Sequence, residues 1–157
     1  MQPANPANDE VYQALLDALL AQASDAIILA DRDGTIRVWS AGAEAIFGHP
    51  AADAIRANLD IIIPERLRRA HWDGFARAIE TGATKYHAQV MTTRSMHRDG
   101  SKLYVDLSFG LVRDRTGAVI GALAIGRDST TRLAADEVLR TRVATLEQQL
   151  QAAATPR

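Results

Sequence analysis

SKLYVDLSFGLV, Ser101 to Val112, alternates between two characters from end to end. Leu103, Val105, Leu107, Phe109 and Leu111 fall on one side of an extended chain, and Tyr104, Asp106, Ser108 and Gly110 on the other. Side chains of a strand point alternately to its two faces, so this period of two predicts an antiparallel strand with one face packed and one wet. The flanks agree. HRDGSK before it and RDRTGA after it carry Asp-Gly and Thr-Gly, pairs suited to tight turns. Two neighbouring strands are therefore expected, KYHAQVMTTRSM (85–96) upstream and AVIGALAIG (118–126) downstream.

Towards the N-terminus the period changes. In PERLRRAHWDGFARAIETG (64–82), Leu67, His71, Phe75 and Ile79 recur every four residues with Ala78 beside them, while Arg68, Arg69 and Asp73 lie elsewhere. The spacing predicts an amphipathic helix that opens after Pro64 and stops at Thr81-Gly82. It also sets an imidazole on the apolar face. A buried polar group without a partner costs about 1–3 kcal/mol, so His71 needs either a metal ion or a hydrogen bond to a carbonyl or carboxylate. Upstream, Ala41 to Ile63 is alanine-rich and broken by Gly48 and Pro50, which suits short helical pieces. AIILAD (26–31) and TIRVWS (35–40) flank Asp33-Gly34, the signature of a hairpin. Five strands with helices inserted after the second predict an α+β fold, a five-stranded antiparallel sheet with helices on one face.

The two ends read as additions to that unit. Residues 1–8 hold two prolines and two asparagines and little to bury, so they are expected to be disordered. Asn8 or Asp9 can cap a helix whose stripe is Val11, Leu15 and Leu19 with Tyr12, Leu16 and Leu20, ending at Ser24-Asp25. At the other end, Leu139, Val143, Leu146 and Leu150 follow the spacing of a short coiled-coil seam. Helices this short are marginal alone, so the seam is expected to meet the N-terminal stripe, a second subunit or its own sheet. The expected division is 1–23 for the start and N-terminal amphipathic helix, 24–129 for the central domain and 130–157 for the C-terminal helix.

Composition excludes several classes. In 157 residues of which 47% are hydrophobic, a formal net charge of −1 gives no electrostatic case for nucleic acid or an anionic membrane. No apolar run approaches the roughly 18 residues of a membrane span. The N-terminus lacks a basic region followed by an apolar one, so a cytoplasmic location is expected. The absence of cysteine removes disulfides, thiolate chemistry and cysteine-based metal sites. Ser40, Ser101 and Ser108 have no nucleophile-elbow context, and neither paired carboxylates nor a glycine-rich phosphate loop stands out, so no enzyme is expected.

WSAGAEAIFGHPAADAI (39–55), IIIPERLRRAHWDGFARAIETG (61–82) and HRDGSKLYVDLSFGLVRDRTGAVIGALAIGRDST (97–130) resemble successive signatures of a PAS domain, over about residues 24–129. That resemblance implies a sensory or dimerising module. The photosensing LOV domains and the photoactive-yellow-protein type need a cysteine for their chromophores, which this chain lacks. Its closer similarity is to the haem-binding PAS domains of oxygen-sensor histidine kinases. In those, the helix after a Pro-Glu pair carries the proximal haem histidine, and Pro64-Glu65 followed by His71 matches. The resemblance implies b-type haem with His71 as proximal ligand, Arg77 as a propionate partner, and Leu107 and Phe109 as pocket wall.

On the distal side the chain departs from the pattern. Oxygen-sensing members carry an arginine where Met91 stands, and a related branch uses a methionine where Gln89 stands. Met91 is then a candidate second axial ligand or simple core filler, and carbon monoxide, nitric oxide or a redox signal suits the site as well as oxygen. Signalling is expected through a homodimer of the terminal helices or a separate effector such as a histidine kinase or regulator. The alternatives are a haem-free interaction module, and a PAS domain holding FAD or a small metabolite in the same cavity. His49, His87 and His97 show no ligand spacing and are expected at the surface. Trp72 is expected to cover the pocket edge or pack between subunits.

Overall fold

In the computed structural model, which describes residues 6–85 and 89–154, β1 (Ala26–Asp31) and β2 (Ile36–Trp39) form the expected hairpin, with Ile28 opposite Trp39. Its turn is built by the acid and the glycine. The Asp31 carboxylate accepts the N–H groups of Asp33 and Thr35, both at 3.0 Å, and Gly34 sits at φ +79. β3 (Met91–Met96), β4 (Lys102–Arg113) and β5 (Val119–Asp128) follow as a meander. The sheet is antiparallel in the order β2-β1-β5-β4-β3. β5 therefore joins the hairpin to the meander, with Ile28 opposite Ala124 and Leu107 opposite Gly126.

The period-two reading of Ser101–Val112 holds as far as Leu107; from Ser108 to Val112 both faces are half-buried. Leu103, Val105 and Leu107 are buried, and Phe109 packs partly buried against them. β3 is shorter than the segment expected for it: Gln89 and Val90 are not in a strand, and Tyr86, His87 and Ala88 lie outside the described residues.

Between β2 and β3 run α2 (Ala41–Phe47), α3 (Ala51–Ala54), a 3-10 turn (Leu59–Ile61) and α4 (Glu65–Thr81). Ser40 starts the first of these. Its buried hydroxyl accepts the N–H of Ala43 at 3.2 Å, capping α2, and that of Ile27 at 2.9 Å, tying the helix to β1. Phe47, Ile36 and Val105 are fully buried at the centre of one core. Ala43, Ala54, Leu59 and Ile62 join the inner face of the sheet there, so the helices cover one face as expected of an α+β fold.

α1 (Pro6–Gln22) starts two residues ahead of Asn8, because proline is tolerated in a first helical turn. α5 (Thr130–Ala154) leaves from the end of β5. Its first turn is pinned to β4: Ser129 N–H donates to the Tyr104 carbonyl at 2.8 Å, and Thr130 Oγ1 accepts the Tyr104 N–H at 2.9 Å. Beyond that anchor the helix is bare. Val11, Leu15 and Leu19 on α1 and Leu139, Val143, Leu146 and Leu150 on α5 are 45–70% exposed, so neither stripe is covered by its own sheet.

Candidate functional site

α4 has the face its periodicity predicts, and that face is only half covered. None of its 17 residues is fully buried, although Leu67, His71, Phe75, Ala78 and Ile79 are all half-buried together. Gly82 ends it in the left-handed conformation. The helix leans on the core through Trp72 and Phe75, which pack against the same cluster as Leu107 and Phe109.

His71 stands among these rings. Its imidazole meets Trp72 edge-on at 5.0 Å between centroids and stacks on Phe75 at 6.0 Å. Nε2 is buried and has no hydrogen-bond partner among the described residues. Burial pushes the His71 pKa down, and the Asp60 carboxylate pulls it back only in part. The ring is thus held in its neutral form, the form that can give a lone pair to a metal.

Burial also lowers the pKa of His49, so the folded state resists protonation at two imidazoles while the unfolded chain does not. Stability is therefore fully present above the ordinary histidine value and is lost as pH falls below it. Thermal melts at pH 7 and pH 5.5 should show the lower melting temperature at pH 5.5, with a smaller difference in His71→Phe. An unchanged pH difference in that variant would contradict the assignment to His71.

Trp72 is half-buried and held within the chain. Its Nε1 donates to Asp60 Oδ1 at 2.9 Å, and the indole lies against Gly34 so closely that a Cβ there would clash with the ring edge at Cη2 and Cζ3. Arg68 reinforces the anchor, donating from Nη2 to the Asp60 carbonyl at 3.1 Å and from Nε to the Ile63 carbonyl at 3.2 Å. Asp60 had no signal in the periodicity, because it lies in a 3-10 turn whose cap is Asn58 Oδ1.

Met91 is half-buried and pairs in register with Leu107, so it lies on the inner face of the sheet. Leu107 is buried and Phe109 half-buried. Arg77 stands apart on exposed surface, with no ion-pair partner for its side chain among the described residues. His49 and His97 differ from the expected surface residues. His49 Nε2 is buried with no hydrogen-bond partner among the described residues, and its carbonyl accepts Trp39 Nε1–H at 2.9 Å. The His97 ring lies against Gly48, whose missing Cβ makes room for it. His87 lies outside the described residues.

The family model described as PAS fold matches residues 14–129. The chain is similar to Oxygen sensor protein DosP of Escherichia coli, 24% identical over 132 residues, covering 84% of this chain and 16% of that protein. It is also similar to Sensor protein FixL of Bradyrhizobium diazoefficiens, 30% identical over 95 residues, covering 60% of this chain and 19% of that protein. The chain thus spans less than a fifth of the length of either. Among solved structures, the PAS domain of a protein from Colwellia psychrerythraea matches with a TM-score of 0.64 at 22% identity, covering 77% of this chain and 98% of that one. With the family pattern running through β1–β5 and the helices between them, the chain belongs to the PAS fold family.

Proposed function

We propose that this PAS chain is a sensor that holds b-type haem through Nε2 of His71 and passes a change at the iron to its terminal helices. The observation that carries the reading is a buried, partnerless Nε2 on the half-covered apolar face of α4. When bound, the haem supplies an iron whose ligand or oxidation state can change. The chain's own residues do the rest. His71 offers a neutral lone pair, while Phe75 and the Asp60-anchored Trp72 restrict its ring. Leu107 and Phe109 provide an apolar, water-poor wall, Met91 a thioether from the sheet, and Arg77 an exposed cation for a propionate.

The route outward starts next to Met91. Thr92 Oγ1 donates to Asp106 Oδ1 at 2.6 Å, and Arg132 of α5 donates to Asp106 Oδ2 at 2.9 Å. A shift of β3 therefore reaches the terminal helix through one carboxylate. Two arrangements of that helix, differing in their affinity for a second copy or a separate effector, are all the signal needs. The sensor names of the two relatives agree with this reading. His71→Ala should keep the circular dichroism of the fold and lose haem uptake; normal haem content in a folded variant would sink the proposal.

The bare stripes on α1 and α5 favour a second reading, a haem-free interaction module that dimerises through Val11–Leu20 and Leu139–Leu150. Both readings expect removal of residues 133–157 to change the oligomeric state. An unchanged number of subunits, taken from the light-scattering mass divided by that of the truncated chain, would exclude the α5 stripe as an interface.

A further inference from the structure

A cleft of about 350 Å³ lies away from His71, between the start of α4 and the hairpin of β3 and β4. Pro64, Arg66, Arg94, Ser95, Met96 and Lys102 contribute to its lining, with Gly100 and Ser101 closing the hairpin end. Three of those side chains are cations and none is a carboxylate. Among the described residues, Arg66 and Lys102 have no ion-pair partner. Arg94 is half-buried; its Nη2 donates to the Tyr104 hydroxyl at 2.9 Å, while its Nε–H is buried with no acceptor among the described residues. The neighbouring acid on the hairpin is Asp99, whose carboxylate stays ionised, its pKa held down to about 2 by bonds from Ser101, with His97 Nδ1 at 2.9 Å. The other nearby acid, Glu65, is exposed at the first position of α4.

We propose that this cleft is an oxyanion site that takes a small molecule carrying a phosphate or carboxylate group. An anion drawn between Arg66 and Lys102 neutralises two unpaired charges. It also offers the Arg94 guanidinium the acceptor its Nε–H lacks, and charge-assisted bonds of this kind are the strong ones. The cleft volume suits a small ligand. The site is separate from the proposed haem contact, so the two can fail independently.

The test is titration of the full chain, followed by amide and arginine Nε–H nuclear magnetic resonance, with pyrophosphate and with succinate at equal ionic strength. The expected result is saturable movement of the Arg94 Nε–H and of the 100–102 amides at millimolar concentration or below, with the better probe naming the phosphate or the carboxylate source. Arg66→Ala/Lys102→Ala, both changes at exposed positions, should weaken binding about tenfold or more, whereas His71→Ala should leave it unchanged. Lys102→Ala alone serves should the double variant fold poorly. Shifts spread over all surface cations, or none at the cleft with either probe, would overturn the proposal.

Discussion

Phe47→Ala is expected to remove about 3–5 kcal/mol of stability, the range for truncating a buried aromatic. The ring is fully buried and lies 5.5 Å from that of Trp39, so its removal would leave a cavity in the core. The same residue's carbonyl accepts the Arg98 N–H at 2.9 Å, which couples the end of α2 to the β3–β4 hairpin. For a chain of this size the loss corresponds to a fall of roughly 10 °C in melting temperature. Urea unfolding measures it directly, and a loss below about 1 kcal/mol would mean that the core closes over the cavity.

Gly34→Ala is the second large effect, and it links the fold to the site. A left-handed backbone costs a residue with a Cβ about 1–2 kcal/mol, and φ at this position is +79. The added methyl would also clash with the edge of the Trp72 ring, and overpacking of that kind costs about 1–3 kcal/mol more. Displacing Trp72 pulls on its bond to Asp60 and on its edge contact with His71, so haem uptake should weaken along with stability. Gly100→Ala is the control. Its φ is +85, but a Cβ there meets open space, so it should lose only the backbone part. Equal losses in the two variants would show that the indole gives way freely.

What could be read from the residues was what repeats. Period two in Leu103–Leu111 located β4 and its buried face, and a spacing of four in Leu67–Ile79 located the inward side of α4. Periodicity reports which side faces in, not how deeply, so the half-covered state of α4 was not legible. Contacts that join three distant segments were not legible either. Trp72 meets Gly34 from a hairpin and Asp60 from a 3-10 turn, and nothing local in any of the three announces the others. The cap at Ser40 was within reach, as a serine directly before a helical run. His49 was not, because its burial depends on the Gly48 turn and on Trp39 reaching its carbonyl.

The stripes of α1 and α5 show the same boundary from the other side. Their spacing correctly marks them as apolar faces, and the fold leaves them open. Sequence spacing cannot distinguish a face that meets its own sheet from one kept for a partner.

The most direct measurement is the absorption spectrum of the chain reconstituted with haem, recorded for the wild type and for His71→Gly with and without added imidazole. Ligation by His71 predicts a Soret band in the wild type, its loss in the variant, and its return when free imidazole fills the vacated position. A wild type that takes up no haem, or a His71→Gly protein with the wild-type spectrum before imidazole is added, would contradict the account.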